Sequence, residues 1–159
     1  MDPRALAKSL GDRLIASAAP TGGWGYYAGR ASRVEPTAWA MLALTAARPG
    51  PALPTLLAPA LAFLRRVQRS DGWLVDTVGP GPNVAANALA HLALRSHPST
   101  ADASADDRLP RALVSVKGIQ AAGDPAIVRQ DNRLQAWPWI AGTFSWVEPT
   151  AWCMLALDR

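Results

Sequence analysis

One helical segment occurs twice in this chain. The stretch RVEPTAWAMLAL, from Arg33 to Leu44, returns as WVEPTAWCMLAL, from Trp146 to Leu157, with ten of its twelve positions identical. Each copy has a Pro where the first turn of a helix tolerates it, followed by residues that are apolar on nearly every side. A helix without a polar face has to be buried on more than one side. The chain is therefore expected to place two equivalent helices inside a repeated structure.

A weaker third copy lies between these two. When Glu35 is aligned with Ala85 and Glu148, the segment AANALAHLAL keeps most of the small and apolar positions of the first copy, and the copies are spaced by 50 and 63 residues (85 − 35 and 148 − 85). Periods in this range are typical of repeated helix pairs, each too small to bury its apolar face alone. Val and Ile are sparse beside Ala and Leu, and no alternating apolar pattern competes. We therefore predict an all-α fold.

Each predicted pair has a buried inner helix and an amphipathic outer helix, joined by loops that contain Trp and Gly. The apolar spacing predicts six helices, in PRALAKSLGDRLI, EPTAWAMLALTAA, ALAFLRRVQRS, VAANALAHLALRS, PRALVSVKGIQAAG and EPTAWCMLALDR. The segment RPGPALPTLLAP is predicted to be a Pro-rich connection. We expect a single domain over residues 1–159, divided into an N-terminal helix (1–20) and three repeats (21–69, 70–109 and 110–159).

Charge and composition argue against several classes of function. The net charge is +4, but apart from Arg65, Arg66 and Arg69 the Arg residues are scattered, and no nucleic-acid reading motif is present. The single Cys, Cys153, allows no disulfide within the chain. No Sec signal peptide and no run of about 18 apolar residues is found, so no membrane span is predicted and a cytoplasmic location is expected.

Three short motifs surround the predicted helices. FLRRVQRSDGW contains Gln68, Gly72 and Trp73; TGGWG contains Trp24; PTAWAMLAL opens an inner helix; and LQAWPW is a degenerate copy of the first motif. Together they resemble the QW repeats of the squalene–hopene cyclase and protein prenyltransferase superfamily, the α/α-toroid proteins. The resemblance covers the chain from about Gly22 to Leu157. It implies α/α-toroid-like repeated helix pairs, about half a toroid, with Gln68, Gly72 and Trp73 as structural residues of the repeat.

The resemblance also makes the two Glu residues of the chain candidate catalytic residues. In cyclases that protonate their substrate, the middle Asp of an Asp-x-Asp-Asp stretch before an inner helix donates a proton to an alkene, and Glu35 and Glu148 fall at that position. The flanking Asp residues of the motif are absent from both copies. A lone carboxylate lacks the partner acids, and a helix start favours its charged form. The alternative is that both Glu side chains interact with free N–H groups at their helix starts.

Aromatic residues in the loops are the candidate substrate-binding residues. Aromatic faces stabilise carbocations through cation–π attraction, so the resemblance implies that these residues line a cavity for an isoprenoid. The alternative is that some of them are core residues, as large aromatic side chains usually are. The candidates are Trp24, Tyr26, Tyr27, Trp137, Trp139, Phe144 and Trp146.

No metal or cofactor is predicted. The prenyltransferase branch of the resemblance uses a zinc ion held by an Asp, a Cys and a His, but no metal-ligand spacing is visible here. Cys153 replaces Ala40 of the first copy and is expected to be a small buried residue, and His91 replaces Met41. The Asp-rich stretch 102–107 suggests a diphosphate–magnesium motif, but its polar composition without helical periodicity favours a solvated loop.

The number of predicted helices is about half of what a closed toroid of the resembled family needs. No outer helix is predicted after the last inner helix, so we expect an apolar side that is covered by self-association or by a second half-toroid chain. Three hypotheses stay open. They are an isoprenoid-binding protein of the cyclase and prenyltransferase type with catalysis undecided, a catalytically silent repeat module that binds a protein or peptide, and a truncated, non-functional remnant.

Overall fold

The computed structural model describes residues 2–47, 50–77, 79, 81–96, 107–120 and 133–158. Within these residues the chain forms six helices and isolated β-bridges but no strand, which confirms the predicted all-α class. The helices are α1 (Pro3–Ala16), α2 (Val34–Ala47), α3 (Leu53–Val67), α4 (Val84–Arg95), α5 (Arg108–Ser115) and α6 (Val147–Leu157).

Helix α3 begins earlier than the sequence predicts. It starts at Leu53, inside the segment that was expected to be a Pro-rich connection, and that prediction is wrong for this part of the segment. Pro54 lies in the first turn, where a missing N–H costs nothing. The helix continues through Pro59 while Leu53 and Leu57 are buried in the core. Burial of the leucines therefore outweighs the local preference of the prolines for a connection.

Helix α5 ends earlier than predicted. Its last residue is Ser115, and Val116 already has an extended backbone. The N–H of Gly118 then donates a hydrogen bond to the Ala136 carbonyl at 2.8 Å, so this segment pairs with the loop 133–146 before α6, which we call the third loop, and does not continue the helix. The remainder of the predicted helix, residues 121–123, lies outside the described residues.

The three inner helices, α2, α4 and α6, lie side by side in one row with α4 in the middle. Helix α4 packs against α2 on one side and against α6 on the other, while α1 and α3 pack on α2 and α5 packs on α4. Trp39 of α2 and Trp152 of α6 meet edge to face with ring centroids 5.1 Å apart, although α4 separates the two helices. The two indoles therefore meet on one side of α4. We call the side of the row that carries Trp39 and Trp152 the inner face.

A side chain on each inner helix holds the loop in front of it through one backbone N–H and one backbone C=O. The hydroxyl of Thr37 accepts from the N–H of Trp24 at 2.9 Å and donates to its carbonyl at 3.3 Å. Thr150 forms the same two bonds with Trp137, at 3.2 and 3.5 Å. A buried hydroxyl satisfied in this way fixes the loop against the helix. The two strong copies of the repeat therefore share their local structure.

The middle copy forms the same contact with a different residue. Asn87 accepts from the N–H of Leu74 at 2.8 Å and donates to its carbonyl at 3.1 Å. The two partners are 13 residues apart, as in the other two copies. Asn87 lies 50 residues after Thr37, which is the spacing obtained by aligning Glu35 with Ala85. The structure thus places the weak middle copy in the register expected from the sequence.

Two glycines 50 residues apart make the turn before these contacts. Gly22 and Gly72 have φ angles of 85° and 93°, in the left-handed region that favours glycine. A Cβ atom would lie 2.2 Å from the Pro59 carbonyl oxygen at Gly22 and 2.5 Å from the Arg108 carbonyl carbon at Gly72. The loops can therefore approach the outer helices α3 and α5 this closely only with glycine at positions 22 and 72.

Candidate functional site

The first copy of the repeat places a polar cluster at the start of α2. The Tyr26 hydroxyl donates a hydrogen bond to Glu35 Oε2 at 2.6 Å. The guanidinium of Arg33 lies 5.7 Å from the centre of the Tyr26 ring, and its Nε atom is 3.1 Å from Asp76 Oδ2. All four side chains line a small pocket of about 180 Å³ beside the starts of α2 and α4. This polar cluster is the densest arrangement of charged groups around the predicted catalytic positions.

Asp76 connects the second repeat to the first inner helix. Besides the Arg33 pair, its carboxylate accepts a hydrogen bond from the backbone N–H of Val34, in the first turn of α2. Such an amide has no partner within its own helix, and a negative charge is favourable at a helix start. Asp76 was not predicted from the sequence, because no motif surrounds it. The only available signal was its register, 50 residues after Tyr26.

The polar cluster holds the Tyr26 phenol in its protonated form. Burial raises the pKa of Tyr26 to about 12, and the hydrogen bond to Glu35 and its negative charge act in the same direction. The phenol therefore donates to the carboxylate throughout the neutral pH range. A general acid that protonates an alkene has to direct its own O–H into an apolar cavity. Glu35 is an acceptor here, an arrangement that favours a structural role, and its predicted catalytic role stays a prediction.

Glu148 has a different environment at the start of α6. Its side chain is exposed, and Trp139 and Trp146 stand where the first copy has Tyr26 and Arg33. The third copy therefore lacks the phenol and the guanidinium that surround the first carboxylate. Because α4 separates α2 from α6, the two Glu residues lie at the starts of helices that are not neighbours.

Two of the predicted substrate-binding aromatics anchor their loops. The indole N–H of Trp24 donates to the carbonyl of Leu14 in α1 at 2.8 Å, and that of Trp137 donates to Leu113 in α5 at 2.7 Å. Trp24 is buried and Trp137 is partly buried against the core. A buried indole needs a partner for its N–H, and in both copies the preceding outer helix supplies it. These contacts favour the alternative that Trp24 and Trp137 are structural core residues.

The aromatic residues of the first loop border a groove beside α2. The groove has a volume of about 550 Å³ and lies between α1, α2 and the first loop, which joins these two helices. We call it the α2 groove. Trp24, Tyr26 and Tyr27 line it, so the structure brings together three of the seven aromatic candidates. Helix α2 contributes Pro36, Trp39, Ala40 and Ala43 to its wall.

Trp39 is a residue that the sequence analysis did not select. It is 44% exposed, and its ring meets that of Trp152 on the inner face. The signal that would have identified it is the repeat itself, because Trp39 and Trp152 occupy the same position in the two copies while Leu89 holds that position in α4.

The third loop covers the start of α4. The carbonyl of Trp139 accepts from the N–H of Val84 at 2.8 Å, and Asn83 pairs with Ile140 in an antiparallel bridge. This contact repeats the one that Asp76 makes with α2. None of the four third-loop candidates lines the α2 groove; Trp139 and Phe144 are partly buried and Trp146 is exposed.

The residues of the resembled QW motif have structural contacts. The Gln68 amide donates to the Gly72 carbonyl at 3.3 Å, and the backbone of Gln68 forms a bridge with Leu74. Trp73 packs partly buried against the core. The amide therefore closes the turn before the second loop.

The remaining candidate groups for chemistry are buried singly. Cys153 is buried, as expected for a replacement of Ala40, and burial raises the pKa of its thiol to about 12. Burial, with a smaller contribution from Arg95, lowers the pKa of His91 to about 4. Within the described part of the chain, no three His, Cys, Asp or Glu side chains are grouped to hold a metal, and no helix is long and apolar enough to cross a membrane. Of the Asp-rich stretch, residues 102–106 lie outside the described residues.

Comparisons of this chain with protein-family models, with curated proteins and with solved structures found no match.

Proposed function

We propose that this chain is an α/α-toroid-type repeat protein that binds an isoprenoid, or a similarly long apolar molecule, along the inner face of its inner helices. The contact between Trp39 and Trp152 carries the proposal. Two indoles from the same repeat position meet edge to face at 5.1 Å across the intervening helix. Trp39 keeps 44% of its surface exposed, so solvent-accessible indole surface is available beside this contact.

The inner face has the composition that an apolar chain requires. Leu89 holds the position of the two indoles in α4 but is buried, so the accessible part of this apolar strip is formed by the two indoles. Sites for apolar ligands combine such a lining with a few polar groups that orient one end of the ligand. Aromatic side chains also contribute a large contact area for unsaturated carbon chains. The strip therefore favours a polyunsaturated hydrocarbon over a polar metabolite.

The carboxylates refine the ligand class. Glu35 is four residues before Trp39 and Glu148 is four residues before Trp152, so each carboxylate lies on the same side of its helix as the indole. A negative charge at the end of the strip accepts a hydrogen bond from an alcohol and repels a diphosphate. We therefore expect an isoprenoid alcohol to bind in preference to the corresponding diphosphate.

Binding without acid catalysis agrees best with the polar cluster. Glu35 accepts a hydrogen bond from Tyr26, and Arg33 is paired with Asp76. Both arrangements suit fixed groups that orient a ligand. Neither provides the activated O–H that alkene protonation needs.

Isothermal titration calorimetry with geranylgeraniol tests the proposal. The variants Trp39→Leu and Trp152→Leu introduce the residue of the middle copy, so the fold should tolerate them. Each should weaken binding about tenfold, which corresponds to roughly 1.4 kcal/mol of lost indole contact. Val114→Ala, on the exposed side of α5, is the control and should bind like the unmodified chain.

Two results would contradict the proposal. The first is the absence of saturable binding of geranylgeraniol or squalene to folded protein, which would favour a module that binds protein or peptide. The second is unchanged affinity in both Trp variants. Geranylgeranyl diphosphate provides the charge test, and the double change Glu35→Gln and Glu148→Gln should reduce the preference for the alcohol.

A further inference from the structure

The last inner helix exposes a face that the other two bury. Three positions spaced i, i+4 and i+7 form one stripe along each inner helix. In α6, Val147 is 86% exposed and Met154 is 60% exposed, whereas the counterparts of these positions in α2 and α4 are at most 5% exposed. We call this stripe the rear stripe; its residues are Val34, Ala38 and Met41 in α2, Val84, Ala88 and His91 in α4, and Val147, Ala151 and Met154 in α6.

The rear stripe is the face that packs on the next inner helix of the row. Helices α2 and α4 each have a following inner helix, and both bury the stripe. Within the described part of the chain, α6 has no following inner helix, and it exposes the stripe. The exposure of α6 therefore results from the missing neighbour, because the sequence of its stripe is as apolar as that of α2.

The first inner helix exposes the opposite face. A second stripe, the front stripe, consists of Pro36, Trp39 and Ala43 in α2, Ala86, Leu89 and Ala93 in α4, and Pro149, Trp152 and Ala156 in α6. It is buried in α4, mostly buried in α6, and partly or fully exposed in α2, which has no preceding inner helix among the described residues. In α2 the front stripe is the wall of the α2 groove.

The described part of the chain thus carries both halves of one helix joint, each without its partner there. The burial pattern indicates that the joints α2–α4 and α4–α6 bring a rear stripe against a front stripe. We propose that a second copy of this chain packs the rear stripe of its α6 into the α2 groove, so that the inner helices of two copies continue as one row. The small residues Ala40 and Ala43 in the groove correspond to Ala90 and Ala93, which allow the close approach of α2 to α4.

The loops show the same complementarity. Inside the chain, the loop of the following repeat covers each inner-helix start: Asp76 accepts from the Val34 amide, and Ile140 forms a bridge with Asn83. In the same register, Trp146 of one copy faces Tyr27 of the other. Both are exposed aromatics, 48% and 77% exposed, and the contact between copies would cover them.

The second copy also completes the inner face. A head-to-tail contact of this kind either closes into a ring or continues as a filament. The contact of Trp39 with Trp152 across α4 favours a row that curves toward this side, so we expect a closed pair. In that pair, Trp39 of the second copy follows Trp152 on the inner face. The joint is argued from the repeat register alone and does not depend on which ligand binds.

Engineered cysteines test the joint directly, in ligand-free protein. Opposite residues of an antiparallel pair have Cα atoms about 4.5–5.5 Å apart, which a disulfide can span. With Cys153→Ala as background, the variants Tyr27→Cys and Trp146→Cys are prepared separately. Each alone should stay uncrosslinked after mild oxidation, and a mixture of the two should give a covalent dimer. The pair Asn83→Cys and Ile140→Cys in one chain calibrates the geometry and should form a disulfide at monomer mass.

Light scattering after size exclusion gives the second measurement. We expect twice the 16.8 kDa mass of the chain, and monomers for Met154→Asp with an unchanged helical circular dichroism spectrum. A monomer at all concentrations overturns the proposal, and so does a filament. Crosslinking of Trp146→Cys with the control Val114→Cys as efficiently as with Tyr27→Cys also overturns it, because contact would then not depend on the register.

Discussion

The first and third copies of the repeated segment are identical at ten of twelve positions, yet their surroundings in the structure differ. Both form an inner helix, and in both a Thr hydroxyl holds the backbone of a Trp 13 residues earlier. Yet Met41 is fully buried, whereas Met154, its counterpart, is 60% exposed. The comparison teaches that the segment determines its own helix and loop contact, while its neighbours determine what it buries.

The same two copies also differ in their polar surroundings. Glu35 accepts a hydrogen bond from Tyr26, but Glu148 has Trp139 at the corresponding loop position. An identical carboxylate therefore has a phenol donor in one copy and none at that position in the other. Chemical differences between the copies originate in the loops, where the sequences diverge.

Methionine truncation should give the largest difference between the copies. Met41→Ala should cost about 2–5 kcal/mol of unfolding free energy, because it leaves a cavity in the core. Met154→Ala should change the unfolding free energy of dilute protein by less than about 0.5 kcal/mol, since that side chain is exposed within the chain. Urea unfolding at several protein concentrations measures both. Equal losses at every concentration would show that the two copies are equivalent inside one chain.

His91 should make the middle copy sensitive to acid. Its pKa is lowered from 6.5 to about 4, mainly by burial, so the folded chain keeps the imidazole neutral where the unfolded chain takes up a proton. The stability that this difference provides is fully present above pH 6.5 and is lost as the pH falls toward 4. Between pH 7 and pH 4 the loss should be on the order of 2–3 kcal/mol.

The repeat supplies the control for this prediction. His91→Met introduces the residue that the other two copies have at this position, and the remaining acidic groups are the same in both proteins. Unfolding free energies measured from pH 7 to pH 4 should therefore fall less steeply in the variant. Parallel pH profiles for the two proteins would mean that His91 does not titrate between these limits.

The two glutamates should give the smallest difference, which is spectroscopic. Glu35→Gln should lower the pKa of Tyr26 from about 12 toward 10, incompletely because burial is the largest cause of the shift. Glu148→Gln should leave the phenol titration unchanged. The phenolate ultraviolet absorbance measures this, with Tyr26→Phe to assign the signal among the two tyrosines. The raised pKa of Tyr26 stabilises the folded chain below pH 10, and this contribution is lost as the pH rises through 12. Identical phenol titrations in the Glu35→Gln and Glu148→Gln variants would contradict the Tyr26–Glu35 contact.

Much of the fold could be predicted because the repeat is local. The apolar spacing predicted the inner helices, and the alignment of Glu35 with Ala85 predicted the register that the Asn87 contact occupies. Replacement of Ala40 by Cys153 predicted a buried thiol, which the structure confirms. These predictions use residues within a few turns of each other or equivalent positions of two copies.

Other features were beyond the reach of sequence patterns. The predicted start of α3 was wrong because its prolines suggested a connection. The helix extends to Leu53 because Leu53 and Leu57 are buried in the core, which the sequence pattern does not show. Of the candidate site, Glu35 and the first-loop aromatics were selected, but Asp76 and Trp39 were not. Their roles depend on a helix start and on an indole that lie 42 and 113 residues away in the chain.

The sequence by itself determined three inner helices, their register and the turns that need glycine. These features follow from apolar spacing and from contacts between residues that are 13 positions apart in the chain. The tertiary structure decided which copy is buried, which carboxylate meets a phenol and which helix faces remain open. Those outcomes depend on what lies beside each helix in space. Two copies with the same residues differ because α2 has a following inner helix and α6 has none within the described residues.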